Sequence, residues 1–225
     1  MIVDVVIPAL DEEEALPHVL AEIPRDRVRR IVVCDNGSRD RTAEVARAAG
    51  AEVVREEQRG YGAACLRALA RVREEPPDVV VFLDADRSDR ADELPRLLDG
   101  IEGGADLVIG SRVRGTRERG ALTPQQIVGN AIACSALRVK YGARYTDLGP
   151  FRAIRWDALE RLGMVDRGYG WTVEMQIKAA RLGLRTAEVP VSYRRRIGRS
   201  KISGTIRGTV GASVTILSLL ARHAR

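Results

Sequence analysis

Asp78-Val79-Val80-Val81-Phe82-Leu83-Asp84-Ala85-Asp86 is an unbroken apolar run that ends on two carboxylates one residue apart. Pro76-Pro77 punctuates its start, and the run is too short for a helix. It reads as a strand buried on both faces, the kind that fills parallel sheets. Working outward, the same rhythm repeats. Ile2 to Pro8, Arg30 to Cys34, Glu52 to Arg55 and Leu107 to Ile109 read as further strands. Helical spacing separates them, over Glu12 to Glu22, Asp40 to Ala49 (ended by Gly50), Tyr61 to Val72 and Leu94 to Ile101. Strands alternating with helices predict an α/β chain, with a mostly parallel central sheet flanked by helices on both faces. Ligands of such sheets sit beyond the carboxyl ends of the strands.

After residue 112 the rhythm changes. Arg112 to Gly120 is a polar, Gly/Arg-rich loop. A long helix is predicted over Pro124 to Tyr141, then a short strand from Phe151 to Ile154, a helix over Val173 to Leu182 and a strand over Arg185 to Val191. The expected organisation is one domain over 1–225, with halves at 1–115 and 116–200 and a tail at 201–225.

The chain has 225 residues, with 45% hydrophobic and 30% charged, an ordinary folded composition. Its formal charge is +6. That figure hides an asymmetry. Residues 181–225 hold ten Arg/Lys and one acid, Glu188, while residues 1–180 carry a net charge of −3. A uniformly basic nucleic-acid binder is therefore disfavoured, and no nucleic-acid partner is expected. Cys34, Cys65 and Cys134 fit no metal-knuckle spacing and are expected as buried free thiols. The N-terminus runs straight into a strand pattern, and no apolar run reaches the roughly 18 residues of a membrane span. A cytoplasmic location is expected.

Each of three strands ends in acids: Asp11 and Glu12 after the first, Asp35 and Asp40 after the second, Asp84 and Asp86 after the fourth. Helix capping accounts for single acids such as Asp11 or Asp40. It does not account for Asp84 with Asp86, which repel each other and cost desolvation unless a cation compensates. Hard oxygen ligands suit Mg²⁺ or Mn²⁺ bridging carboxylates to a substrate diphosphate. Gly60-Tyr61-Gly62 opens the third helix with small residues, at a helix end that favours anions. It lies outside the usual dinucleotide fingerprint, and a plain turn would need the same glycines.

Together, Pro8-Ala9-Leu10-Asp11-Glu12, Asp35-Asn36-Gly37-Ser38 with Asp40 and Thr42, Arg59-Gly60-x-Gly62-Ala63 and Asp84-x-Asp86 resemble the family 2 glycosyltransferases of GT-A fold, the Rossmann-like nucleotide-diphospho-sugar transferases. The likeness runs over about residues 2–115. It implies that Pro8, Leu10, Glu12, Asp35 and Gly62 contact the nucleoside, and that Asp84 and Asp86 serve metal and diphosphate. The second half resembles the branch of dolichyl-phosphate-mannose synthase and bacterial polyprenyl-phosphate glucosyltransferases. The segments that carry this are Gly110-Ser111-Arg112, Thr146-Asp147-Leu148-Gly149-Pro150-Phe151-Arg152, Gly170-Trp171-Thr172-x-Glu174, and Arg194-Arg195-Arg196-x-Gly198-x-Ser200-Lys201. Ser88 stands where the synthases carry a polar amide. Thr123 to Asn130 has no arginine where they carry one on the acceptor phosphate.

The activity this implies is metal-dependent, inverting transfer of a hexose from a nucleotide sugar, UDP-glucose before GDP-mannose. The acceptor would be a lipid phosphate such as polyprenyl phosphate, or another hydroxyl compound. A hydroxyl acceptor needs a nearby base, whereas an anionic phosphate needs none. Asp147 is the acceptor-side candidate, or else a turn residue. Glu174 would orient sugar or acceptor, or lie solvated on a helix. Arg112 and Arg152 would bind phosphate or form surface ion pairs. Arg194 to Lys201, with Arg196 and Lys201 foremost, would be a mobile phosphate-binding flap or a solvated loop. Residues 202–221 are amphipathic and would rest on the inner membrane face or pack in a homodimer. Two other classes compete. A sugar-phosphate nucleotidyltransferase would carry a Gly-rich, basic first loop in place of Pro8 to Glu12. A non-catalytic anion- or membrane-binding adaptor would leave Asp84 and Asp86 without a purpose.

Overall fold

A computed structural model describes residues 1–198, so Lys201 and the 201–225 tail lie outside the described residues. Among the described residues seven strands form one sheet: β1 (Val3–Ala9), β2 (Arg30–Asp35), β3 (Glu52–Arg55), β4 (Val79–Phe82), β5 (Leu107–Ser111), β6 (Arg152–Arg155) and β7 (Thr186–Pro190). Their order is β3-β2-β1-β4-β6-β5-β7. β1 pairs in parallel with β2 and β4, in register Ala9 to Asp35 and Val3 to Val79, so the loops after all three emerge on the same edge.

Period-two alternation divides the core. Val5, Ile7, Val33, Val81 and Ala153 face one way, toward α1 (Leu16–Glu22), α2 (Thr42–Ala48) and α4 (Leu94–Glu102). Val6, Val32, Cys34, Val80, Phe82 and Ile154 face the other way. That side is covered by α3 (Tyr61–Val72), α5 (Pro124–Tyr141), α6 (Trp156–Leu162) and α7 (Trp171–Arg181). Phe82 meets Trp171 edge to face, with ring centroids 5.8 Å apart. The three cysteines are buried free thiols, as expected.

Three departures from the sequence expectations have local causes. β6 is antiparallel to both β4 and β5, and it wedges between them. α5 lies between β5 and β6, but the long segments on either side of that helix, 112–123 and 142–151, let the chain return in the opposite direction. α6 follows β6 at once and was not anticipated; it buries Ala158, Leu159 and Leu162 and stops at Gly163, whose φ of +54° suits a glycine. α1 starts at Leu16 rather than Glu12, because the amides of residues 11–13 are taken by side chains of the next loop. Asp11 N donates to Ser38 Oγ (2.9 Å), Glu12 N to Thr42 Oγ1 (2.8 Å) and Glu13 N to Asp40 Oδ2 (3.0 Å). Asp40 also accepts from the Thr42 amide, but the N-cap position of α2 is Arg41 and carries no side-chain cap, so Asp40 laces the two loops rather than capping the helix as expected.

Candidate active site

The edge where β1, β2 and β4 end holds a cavity of about 370 Å³. Pro8, Leu10, Asn36 and Arg59 line it, Asn36 holding the Arg59–Gly60 loop, together with Asp84 and the group of Glu12, Asp86 and Arg196 that ion pairs join. Tyr61 and Tyr169 form its walls.

Asn36 organises its own part of the lining. Its amide donates to the carbonyls of Glu56 (3.1 Å) and Gln58 (2.8 Å), and its Oδ1 accepts from the Gly60 amide (2.8 Å). One buried side chain thus pins the loop that carries Arg59, whose guanidinium donates to the Gly37 carbonyl. Asp35 is buried and accepts from the Ser38 amide, shaping the turn beside the cavity without lining it.

Gly62 serves a different purpose from the one expected. A Cβ there would lie 2.0 Å from the Asp166 carbonyl oxygen, and one at Gly60 would lie 2.0 Å from that of Arg167. The glycines let the 166–168 backbone sit directly on the start of α3. The Gly62 amide donates to Gly168 O (2.9 Å) and the Ala63 amide to Arg167 O (3.0 Å). The first turn of α3 is therefore closed by carbonyls, rather than open to an anion, and Gly62 is not among the cavity-lining residues.

Among the acids, Tyr61 Oη donates to Asp84 Oδ1 (3.0 Å). Asp86 Oδ1 accepts from the Ser88 amide and hydroxyl. Burial, with the nearby Asp86 charge, pushes the Asp84 carboxyl up to about 7. Arg87, directly after Asp86, holds φ of +64°, a strained value for a non-glycine residue of the kind that clusters at functional sites. Asp89 is 2% exposed, and neither of its carboxylate oxygens has a hydrogen-bond partner. Burial and the charge of Asp84 push its pKa well above the usual carboxylate range, against the pull of Arg112. By contrast, Asp4 of β1, also deeply buried, is saturated by Arg29 and Arg30.

The basic run after β7 passes beside these acids. Arg194 N donates to Ser88 O (2.8 Å) and Ile197 N to Asp86 O (3.0 Å). Arg196 reaches Glu12 Oε1 (2.9 Å) and Asp86 Oδ2 (3.1 Å), standing between two carboxylates at the cavity mouth. Arg194 pairs instead with Glu22, and the Arg195 amide with Glu118. In this arrangement the run is a strap tied by main-chain hydrogen bonds, and of its three consecutive arginines Arg196 faces the cavity.

The second-half candidates lie behind the cavity. Asp147 is 0% exposed and accepts from the Arg112 amide (2.7 Å), Nε (2.9 Å) and terminal nitrogen (2.6 Å). The Arg112 guanidinium sits 5.0 Å from the centre of the Tyr193 ring. Glu188 supports the pair from below, accepting from the Thr146 and Asp147 amides. Glu174 is 1% exposed; it accepts from the amides of Val165 and Asp166 and pairs with Lys178 (2.7 Å). It thereby fixes the loop whose carbonyls close α3. Arg152 is neither a phosphate ligand nor a surface ion pair. It is fully buried, its guanidinium donates to the carbonyls of Leu148, Gly149 and Thr172, and burial lowers it to about 10.

Asn36, Arg59, Tyr61 and Asp89 were given no site role in the sequence, although Asn36 and Arg59 lie in the segments that carry the family resemblance and Tyr61 sits between the two glycines singled out there. Among the described residues, no three His, Cys, Asp or Glu side chains are placed to hold a metal ion by themselves. Asp84 and Asp86 form a two-carboxylate set of hard oxygens, with the orphaned Asp89 carboxyl adding to the local acid excess. This fits Mg²⁺ or Mn²⁺ whose shell a substrate diphosphate and water complete.

Comparison with known proteins agrees with this geometry. The family model described as "Glycosyl transferase family 2" matches residues 4–163. A Mycobacterium tuberculosis protein described as an uncharacterized glycosyltransferase is 41% identical over 211 residues, 92% of this chain and 93% of that protein. The undecaprenyl-phosphate mannosyltransferase of Micrococcus luteus is 36% identical over 231 residues, 96% of this chain and 94% of that enzyme. Among solved structures, glucosyl-3-phosphoglycerate synthase of Mycobacterium tuberculosis, bound to Mn²⁺, UDP-glucose and phosphoglyceric acid, superposes with a TM-score of 0.78 at 27% identity, covering 97% of this chain and 79% of that one. With its mostly parallel sheet flanked by helices and its acids at the strand ends, this chain is a transferase of GT-A fold and belongs to glycosyl transferase family 2.

Proposed function

We propose that the protein transfers a hexose, with inversion, from a nucleoside-diphosphate sugar to a polyprenyl phosphate, and that it needs Mg²⁺ or Mn²⁺. The observation that carries this is one cavity at the carboxyl ends of β1, β2 and β4 whose lining includes both Pro8, Leu10, Asn36 and Arg59 and the charged group of Asp84, Asp86 and Arg196. A nucleoside would lie against the first set, with its diphosphate against the second. Mannose from GDP-mannose comes before glucose from UDP-glucose. Its support is the mannosyltransferase likeness, which covers nearly all of both chains at higher identity than the UDP-glucose-bound neighbour. One domain over 1–225 is proposed, with donor contacts mainly in 1–115, joined by Arg196 from the second half, and acceptor contacts in 116–200.

The chain's own residues do the following. Asp84 and Asp86 hold the cation, which when bound neutralises charge on the leaving diphosphate. Tyr61 orients the Asp84 carboxylate through its hydroxyl. Arg196 exchanges its carboxylate partners for the diphosphate and adds a second positive charge there. Asp147 and Glu174 act as positioning residues, since each carboxylate is buried and already saturated. Asp147 aims Arg112, and Glu174 holds the loop under Tyr169. An acceptor phosphate attacks as an anion, so the site has no need of a free base.

A thermal-shift panel of GDP- and UDP-sugars with Mn²⁺, followed by transfer assays to undecaprenyl phosphate, tests the proposal. Specific binding raises the melting temperature by mass action. Product on undecaprenyl phosphate that disappears in EDTA is expected. Full transfer in EDTA would overturn the metal role, and transfer to soluble alcohols alone would overturn the acceptor.

A further inference from the structure

The outward face of α5 carries no charge. Val128, Ile132, Ser135 and Val139 recur along it at helical spacing. The three apolar members are 57%, 58% and 89% exposed, while the opposite face buries Ala133, Cys134 and Leu137. A helix on the surface of a globular protein normally turns charged residues to water. A contiguous exposed apolar stripe marks a contact surface.

The charge around it is one-sided. Residues 112–145 contain seven Arg/Lys and a single acid, Glu118. Arg112 is largely buried against Asp147, whereas Arg114 (which donates to Glu188 O), Arg117, Arg119, Arg138, Lys140 (over the Tyr141 ring) and Arg144 are exposed. Two like-charged copies of such a segment would repel each other, which disfavours a second chain as the occupant. Apolar side chains flanked by Lys and Arg suit an anionic lipid surface: the stripe enters the acyl boundary and the cations meet headgroups.

We propose that α5, with the basic loop before it, is the surface by which this protein docks on an anionic bilayer. This rests on the lipid-phosphate acceptor of the preceding section, since such an acceptor keeps its tail in the membrane. The inner side of α5 connects the docking surface to the site. Asn130 donates to Thr146 O (2.9 Å) and accepts from the Leu148 amide (2.9 Å), bracketing Asp147, which holds Arg112.

The test uses the full chain and a V128E/I132E variant, with sedimentation on vesicles of phosphatidylcholine with phosphatidylglycerol and of phosphatidylcholine alone. The wild type is expected to bind the anionic vesicles selectively, and the variant to bind them roughly tenfold or more weakly. The variant should keep the nucleotide-induced rise in melting temperature, which shows that it folds. Equal vesicle binding by both proteins would overturn the proposal and place lipid contact elsewhere, as on residues 201–225. Binding indifferent to phosphatidylglycerol, or a wild-type dimer that the variant splits without any vesicle binding, would also overturn it. The acceptor screen reads separately. Loss of vesicle binding in a protein that uses only soluble acceptors keeps the surface and removes the lipid acceptor. Transfer to undecaprenyl phosphate with unchanged vesicle binding does the reverse.

Discussion

Asp84 and Asp86 differ in what their neighbours ask of them. Asp86 accepts from the Ser88 amide and pairs with Arg196, whereas Asp84 accepts from a tyrosine hydroxyl in a desolvated setting that lifts it to about 7. The sign of the consequence follows from linkage. Between its ordinary value of 3.8 and about 7, the folded metal-free protein holds a proton that the unfolded chain has lost. Stability from this group is complete below that window and is lost as pH rises through it. Asp84→Asn removes the titration. In urea unfolding with EDTA at pH 5 and pH 8, the wild type should lose stability relative to the variant by up to about 1.4 kcal/mol per pH unit crossed. Added Mn²⁺ should restore the wild type most at pH 8, because the metal takes the deprotonated carboxylate. Parallel pH profiles for the two proteins would contradict this account of Asp84.

At the scale of elements, the contact between α3 and the 166–168 loop decides how tightly the cavity is walled. Gly62→Ala puts a methyl 2.0 Å from a carbonyl oxygen that belongs to backbone and cannot swing away. The loop must shift, taking Tyr169 with it, and the cost should be about 1–3 kcal/mol, the usual range for overpacking. A lowered melting temperature together with weaker nucleotide binding is expected; an unchanged pair of values would show that the close approach is dispensable. This contact was only half legible. Gly60 and Gly62 stood out in the sequence, but their partner lies a hundred residues away, so they read as a ligand approach. Asp147, Glu174 and Arg152 misled for the same reason. Whether a polar side chain faces a cleft or holds backbone depends on segments that meet only in the folded chain. β6 was legible as a strand but not in its direction, which its two partners set. What local chemistry fixes was read well. α3 and α5 matched to the residue, the latter between its Thr123–Gln126 capping box and Gly142. The Asp84–Asp86 pair was legible because a buried apolar run leaves its carboxylates nowhere to be but at the strand's end.

For the whole molecule, the placement of β6 matters more than the count of strands. A donor half at 1–115 and an acceptor half at 116–200 suggest two units joined end to end. Yet β6, from the second, hydrogen-bonds to β4 and β5 of the first, separating two strands that would otherwise be neighbours. β7 then pairs with β5 on the far edge. Removing the second half would leave β4 and β5 with unpaired edges and strip α7 and Trp171 from Phe82. The two halves should therefore unfold together. Both tryptophans, Trp156 and Trp171, lie in the second half, so fluorescence reports on that half, while far-UV circular dichroism reports on every helix and strand. Coincident urea transitions by the two probes are expected, as for a two-state domain. A nucleotide with Mn²⁺, bound mainly through first-half residues, should move the fluorescence transition as far as the dichroism one. If the tryptophan signal instead melts at lower urea and ignores the nucleotide, the acceptor half is an independent unit, and the link from α5 through Asn130 to Arg112 cannot be rigid.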